Sequence, residues 1–363
     1  MRTSKGEVRV GALALAMVLG AVVVTALRHC SASADSSTSL TTSPSTRDTA
    51  ADRTPNSAFT GRPTTNTKVA VSVLRAVSGV TDFFGVDFGT QIAPMMAFDH
   101  PPPFVMSGLD VQRGDFADQP TFVIRPDCPS GKYVVAFHGG AYVVQPTINH
   151  WSAYAAIARH THATVVVPIY PLASTLQGRA KIVIPDMADL ISAQITRHGA
   201  DNVSVYGDSA GGGMALSVTQ LLVSRRNPTP SHMVLISPWL DVTMSNPAIA
   251  SIEDPVLRIM SLRTAGEQWA GNLSLTDPWV SPIYGSLVGL PPTAVYCGNL
   301  DLLSADVLRL REQALTAEAS QFTFVLRNGA IHDWAMGGVF STPESAAVQR
   351  DIYQQLGLTA PSP

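Results

Sequence analysis

From Lys68 onward, short runs rich in β-branched residues alternate with longer stretches in which apolar residues recur every three or four positions. The runs 120–125 (PTFVIR), 132–138 (KYVVAFH), 163–170 (ATVVVPIY), 202–207 (NVSVYG), 232–237 (HMVLIS), 293–298 (TAVYCG) and 321–326 (QFTFVL) predict strands. The stretches 151–161, 184–199, 210–225, 303–319 and 343–356 predict helices. In 303–319, Val307, Leu310 and Ala314 fall on one face. Strands that are apolar throughout, rather than alternately, are buried on both sides. Interleaved with helices, they predict an α/β fold with a mostly parallel central sheet flanked by helices.

The pattern changes before Lys68. The first nine residues carry Arg2, Lys5 and Arg9, and Val10 to Leu27 are uncharged and almost wholly apolar. A basic segment followed by an apolar run is an export signal. Ala32-Ser33-Ala34 offers a cleavage site, and the run is just long enough to span a membrane if it is retained. Residues 1–34 are therefore expected to be a signal peptide or an N-terminal membrane anchor. The rest of the chain would then be extracellular or held in the cell envelope. Residues 35–67 are rich in Ser and Thr and include Pro44, Pro55 and Pro63. Such a segment cannot bury enough apolar surface to order itself and reads as a linker. Residues 68–363 then form one folded domain.

Composition narrows the picture. Of 363 residues, 45% are hydrophobic and only 14% charged, enough to build a large core. A net charge of −3 gives no electrostatic footprint for nucleic acid. Cys30, Cys128 and Cys297 have neither the number of a disulfide framework nor the spacing of a zinc site. Cys128 precedes its strand and Cys297 ends its own, so the two fall at opposite ends of a parallel sheet and are not expected to pair.

The chemistry centres on Gly207-Asp208-Ser209-Ala210-Gly211. This G-x-S-x-G sequence stands between an expected strand and an expected helix, the setting of a nucleophile elbow. The plain alternative is a glycine-rich turn with a bystander serine, but the strand–turn–helix setting argues against it. A second stretch, Phe137 to Tyr142 (FHGGAY), follows the strand 132–137. Glycines there let backbone N–H groups approach an oxyanion. The candidate donors are Gly139, Gly140, Ala141 and Ala210, while His138 reads as a brace for the loop.

Together these motifs resemble the hormone-sensitive-lipase-like branch of the α/β-hydrolases, which includes bacterial carboxylesterases and acetyl-hydrolases. The resemblance covers about 70–357 and extends to SPWLDVT (237–243), DPWVSP (277–282), GNLDLL (298–303) and IHDW (331–334). The chain departs from the family at Ala141, where a third glycine is usual. It also departs at Tyr170-Pro171-Leu172-Ala173, which lacks the family's arginine. The resemblance implies a helical cap, drawn from segments near 69–100 and 244–276. Residues 80–98 have the aromatic and Met content of an acyl pocket, and equally that of ordinary core.

In this fold the triad runs Ser, then Asp or Glu, then His along the chain. After Ser209 only His232 and His332 remain. His232 opens a strand at the end remote from the elbow, so His332 is the expected base. Asp301, soon after the strand 293–298, is the expected acid, with Asp306 the runner-up. Asp241 comes too early, Asp277 sits at the cap junction, and Asp333 is expected to point away from its neighbour His332. The resulting expectation is an exported serine esterase that needs no metal or organic cofactor. It would hydrolyse small-molecule or lipid esters with short- to medium-chain acyl or acetyl groups, with membrane contact through its N-terminal segment. An amidase or transacylase would use the same triad. A tethered, inactive binding module would commonly have lost one of its members.

Overall fold

The apolar runs become strands because helices cover both of their faces. In the computed structural model the described residues are 58–83, 93–317 and 321–359. The strands are β1 (Asp110–Phe116), β2 (Gln119–Arg125), β3 (Tyr133–Phe137), β4 (Thr164–Pro168), β5 (Val203–Asp208), β6 (Met233–Ile236), β7 (Thr293–Leu300) and β8 (Phe322–Ile331). They form one sheet in the order β1-β2-β4-β3-β5-β6-β7-β8. From β4 to β8 every neighbouring pair is parallel. Only β1 with β2 and β2 with β4 are antiparallel. The helices among the described residues are α1 (Thr65–Phe83), α2 (Ile148–Thr161), α3 (Ala180–His198), α4 (Ser209–Ser224), α5 (Ile259–Ala270), α6 (Ser304–Thr316) and α7 (Pro343–Gln355).

Successive residues of the central strands divide the core in two, as the period of two requires. Val135, Phe137, Val203 and Val205 face α3 and α4. Val134, Ala136, Tyr206, Val234 and Ile236 face the other way, onto Trp151, Tyr154, Ile352 and Tyr353 of α2 and α7. Neither face of the central strands β4, β5 and β6 meets water, which is why the sequence shows continuous apolar runs there.

Several boundaries differ from expectation. β1 carries no apolar pattern because it is an exposed edge strand. It is held by a two-residue hairpin at Ala117 and Asp118, both with positive φ, as tight type I′ turns need. β8 runs five residues past Leu326, because Leu300 pairs with Ile331 across an irregular register and Gly329 takes a φ of +73°. The folded chain also begins before Lys68. The Thr60 N–H donates to the Leu326 carbonyl at 2.9 Å, and the Asn328 N–H donates to Thr60 at 2.9 Å. The Thr64 N–H and the Thr67 hydroxyl both donate to the Glu344 carboxylate. The expected linker end at 67 is thereby corrected: residues 58–67 pack against the β8 edge, whose backbone groups are open to pairing. No helix among the described residues is long and apolar enough to cross a membrane. The apolar run of residues 10–27 lies outside the described residues.

Candidate active site

Three parallel strands end at the same edge of the sheet, where α/β folds place their ligands. β5 passes into α4 without a loop: Asp208 is still extended, and Ser209 turns the chain with a φ of +50°. The turn explains the flanking glycines. A Cβ on Gly207 would lie 2.3 Å from the Gly211 carbonyl oxygen, and one on Gly211 would lie 2.1 Å from the Phe137 carbonyl oxygen. No side chain fits at either place, so strand, turn and helix close on one another only with glycine there.

β8 delivers His332 directly after Ile331, and β7 delivers Asp301 directly after Leu300. His332 Nε2 lies 3.0 Å from Ser209 Oγ, and its Nδ1 lies 3.1 Å from Asp301 Oδ2. Asp301 is fully buried. Its Oδ1 accepts the Leu303 N–H at 2.9 Å, and Oδ2 also accepts the Cys297 thiol at 3.6 Å. These bonds fix the carboxylate, which in turn assigns the ring proton to Nδ1 and leaves Nε2 facing the serine. Burial works against a charged His332, but the carboxylates of Asp333 and Asp301 outweigh it and hold its pKa well above the ordinary value.

Other candidate acids and bases sit apart from this line. Asp306 is pushed up to about 6 by burial and accepts the Asn246 amide at 2.9 Å. The turn before α6 is held by Asp301, not Asp306. His232 stands ahead of β6, at the opposite end of the sheet from Ser209. Cys128 is exposed and Cys297 buried, and each is a free thiol. Asp333 departs from expectation. Its left-handed backbone, with a φ of +56°, folds the carboxylate back so that Oδ2 lies 3.2 Å from His332 Nε2. It does not point away.

The second loop is pinned beneath the elbow. His138 is buried, with its pKa lowered to about 3 by burial and by nearby His150. It stacks on Tyr170 at 4.1 Å, and the Tyr170 hydroxyl donates to the His138 carbonyl at 2.6 Å. The Gly139 N–H lies 3.1 Å from His150 Nε2 on α2. A Cβ there would lie 2.2 Å from Asp208 Oδ2 and 3.0 Å from Ser209 Cβ, so the loop rests on the elbow itself. The N–H groups of Gly140 and Ala141 have no hydrogen-bond acceptor among the described residues. Ala210 is the second residue of α4, where an N–H has no intrahelical carbonyl. Ala141 and Tyr142 have φ values of +51° and +63°. The strain at Tyr142 is held by its ring, stacked 3.8 Å from Trp269 of α5.

His150 and Asp208 form a second buried pair that sequence reasoning passed over. His150 Nε2 lies 3.0 Å from Asp208 Oδ2, and its Nδ1 accepts the Thr147 N–H at 2.9 Å. The available signal was Thr147 three residues before His150, the spacing of a helix-capping box.

The segments expected as a cap touch each other. Arg75 of α1 pairs with Glu253 at 3.3 Å, and the Arg258 guanidinium donates to Ser78. Between them runs an open groove of about 750 Å³ with Leu302, the neighbour of Asp301, in its wall. Residues 84–92 of the expected acyl-pocket stretch lie outside the described residues. Among the described residues, no group of three His, Cys, Asp or Glu side chains is placed to hold a metal ion.

With this geometry in view, comparison with known proteins is specific. Residues 134–336 match the α/β hydrolase fold family, and the chain belongs to it. It is similar to a triacylglycerol lipase of Mycobacterium tuberculosis, with 44% identity over 275 residues, or 75% of this chain. The match spans 57% of that relative's length. It is also similar to an esterase of Acinetobacter venetianus, 28% identical over 254 residues, covering 65% of this chain and 82% of the relative. In fold it resembles a hormone-sensitive lipase from a metagenome library, with a TM-score of 0.68 at 21% identity over 80% of this chain and 97% of the other.

Proposed function

We propose that the protein is a serine hydrolase of carboxylic esters that works through an acyl-enzyme. The observation that carries this reading is the unbroken line from Ser209 Oγ through His332 to Asp301, at 3.0 and 3.1 Å. Ser209 Oγ attacks the ester carbonyl while its proton passes to His332 Nε2. The carbonyl electron pair moves to the oxygen, which accepts from the N–H groups of Ala210, Gly140 and Ala141. The leaving alcohol takes the proton from Nε2, and the ester's C–O bond breaks. Water, deprotonated by the same nitrogen, then releases the acid and restores Ser209. The N-terminus of α4 points at the developing negative charge and favours it.

The names of the relatives, triacylglycerol lipase and esterase, support an ester substrate. Short- to medium-chain or acetyl esters are the proposed class, admitted beneath a cap formed by the segments around α1 and α5. The basic residues 2–9 and the apolar run 10–27 support export, with the catalytic domain extracellular or in the cell envelope.

A panel of p-nitrophenyl esters of increasing chain length tests the activity, and a fluorophosphonate tests the nucleophile. Wild type is expected to hydrolyse the shorter esters and to be labelled. Ser209→Ala should lose about 10⁴-fold or more in kcat, together with labelling. Labelling that persists in Ser209→Ala overturns the assignment. Export is tested by a reporter that folds only outside the cytoplasm, fused to the C-terminus. A silent reporter overturns that placement.

A further inference from the structure

His332 is flanked by two carboxylates, of which the proposed reaction uses one. Asp301 holds Nδ1, while Asp333 Oδ2 lies 3.2 Å from Nε2, the nitrogen that faces Ser209 Oγ. We propose that Asp333 is a second positioning carboxylate, holding the protonated Nε2 edge of His332 from the side opposite Asp301. This rests on the reading of His332 as the base.

The position of Asp333 is built in three ways. Its N–H donates to Ser237 Oγ at 3.0 Å, and its carbonyl accepts the Met336 N–H at 3.0 Å. Its left-handed φ turns the side chain back along the ring of the preceding residue. Asp and Asn are the side-chain-bearing residues that tolerate this conformation best. The outer oxygen, Oδ1, is buried and has no hydrogen-bond partner among the described residues. Its charge is therefore answered chiefly by the imidazole.

The chemistry follows from proton bookkeeping on Nε2. When the ring is neutral, Nε2 is a lone pair that accepts the Ser209 hydroxyl, and an ionised Asp333 gives it nothing. When Ser209 attacks, its proton moves to Nε2, and the new N–H lies between Ser209 Oγ and Asp333 Oδ2. The ionised carboxylate then stabilises the imidazolium until the proton leaves with the alcohol. Asp333 thus favours the charged intermediate over the resting ring. The same charge makes the resting ring harder to deprotonate, so it raises the pH at which the enzyme becomes competent.

Other groups surround this pair. Asp254, from the segment before α5, lies near enough to Asp301 and His332 to feel both. Asp208 and His150 of the second pair face Asp333 from β5 and α2. Burial raises the Asp333 carboxyl, and the charged His332 opposes that rise. None of these other groups makes a hydrogen bond to Nε2, so Asp333 is the one whose removal alters that nitrogen directly.

The test is the pH profile of kcat/KM for p-nitrophenyl acetate, using the full chain and its Asp333→Asn variant. Asn keeps the left-handed backbone and loses the charge. The acid limb is expected to move down by about one pH unit, and the plateau to fall about tenfold. If Asn fails to fold, Asp333→Gly also suits the positive φ and should give the same shift. An acid limb that stays in place while the plateau falls overturns the proposal and leaves Asp333 as a structural residue. A plateau that rises also overturns it, because Asp333 would then only compete with Ser209. The imidazole titration of His332, assigned by its loss in His332→Gln, should show the same downward shift without any substrate. That readout separates this proposal from the ester reading: an enzyme inactive on esters would still show the shift, and an active one without it would not support Asp333.

Discussion

Two histidine–aspartate pairs lie within one small region, and at first sight they are alike. His332 and Asp301 are separated by 3.1 Å, His150 and Asp208 by 3.0 Å, and all four side chains are buried or nearly so. They differ at the other ring nitrogen. His332 Nε2 faces a hydroxyl, whereas His150 Nδ1 accepts the backbone N–H of Thr147 at the start of α2. A ring with its acceptor already committed to the backbone cannot take a proton from a substrate or a serine. His150 is therefore a strut: it ties α2, the loop at Gly139 and the elbow residue Asp208 into one unit. The lesson is that a His–Asp distance does not by itself mark a base. The partner of the remaining nitrogen does.

The largest expected effect separates the two aspartates. Asp301→Asn should lower kcat by about 10⁴, because the amide donates where it must accept and so imposes the wrong tautomer on His332. Asp208→Asn should cost far less, since His150 takes no part in proton transfer. Equal losses in the two variants, measured on folded protein, would break the comparison. Asp306→Asn serves as a control near the triad and should leave kcat close to wild type.

Next comes the contact that joins the pairs. Gly139→Ala places a Cβ 2.2 Å from Asp208 Oδ2 in an unmoved backbone. The loop has to lift, taking Gly140 and Ala141 with it. The expected loss is about 10²–10³ in kcat, the scale of losing an oxyanion donor. Unchanged turnover would mean that the loop does not serve the oxyanion.

The pH dependence sharpens the difference further. The proposed base must be neutral to work, and His332 is held well above the ordinary histidine value by its carboxylates. kcat/KM should therefore fall as pH drops, with a midpoint above about 6.5, losing roughly tenfold per unit below it. A midpoint at or below the ordinary value would mean that the carboxylates do not act on the ring as the distances imply.

How much of this was legible in the sequence depends on what each residue touches. The central strands were readable because burial on both sides makes them apolar throughout. Ser209 was readable because the elbow demands glycine at 207 and 211. The places of His332 and Asp301 beside Ser209 followed from chain order and from strand ends. β1 was not readable, because an exposed edge strand has no apolar signature. The extension of β8 was hidden by Asn328-Gly329, which reads as a turn but pairs onward with Asn299. The reach of Asp333 depends on a single left-handed φ, which no periodicity encodes.

The smallest expected effect on turnover, and the most telling on stability, is that of His150→Ala. The variant should keep kcat within about tenfold of wild type per folded molecule, because no proton moves through this ring. Its cost falls on the folded state instead. Leaving a buried acceptor without its hydrogen-bond partner costs about 1–3 kcal/mol, and more for a charged group. Asp208 has no exposure, and its Oδ1 has no hydrogen-bond partner among the described residues even with His150 in place. The deficit against wild type should appear as a lower urea midpoint. An unchanged midpoint would mean that Asp208 finds another partner, and that the second pair does not hold the fold together.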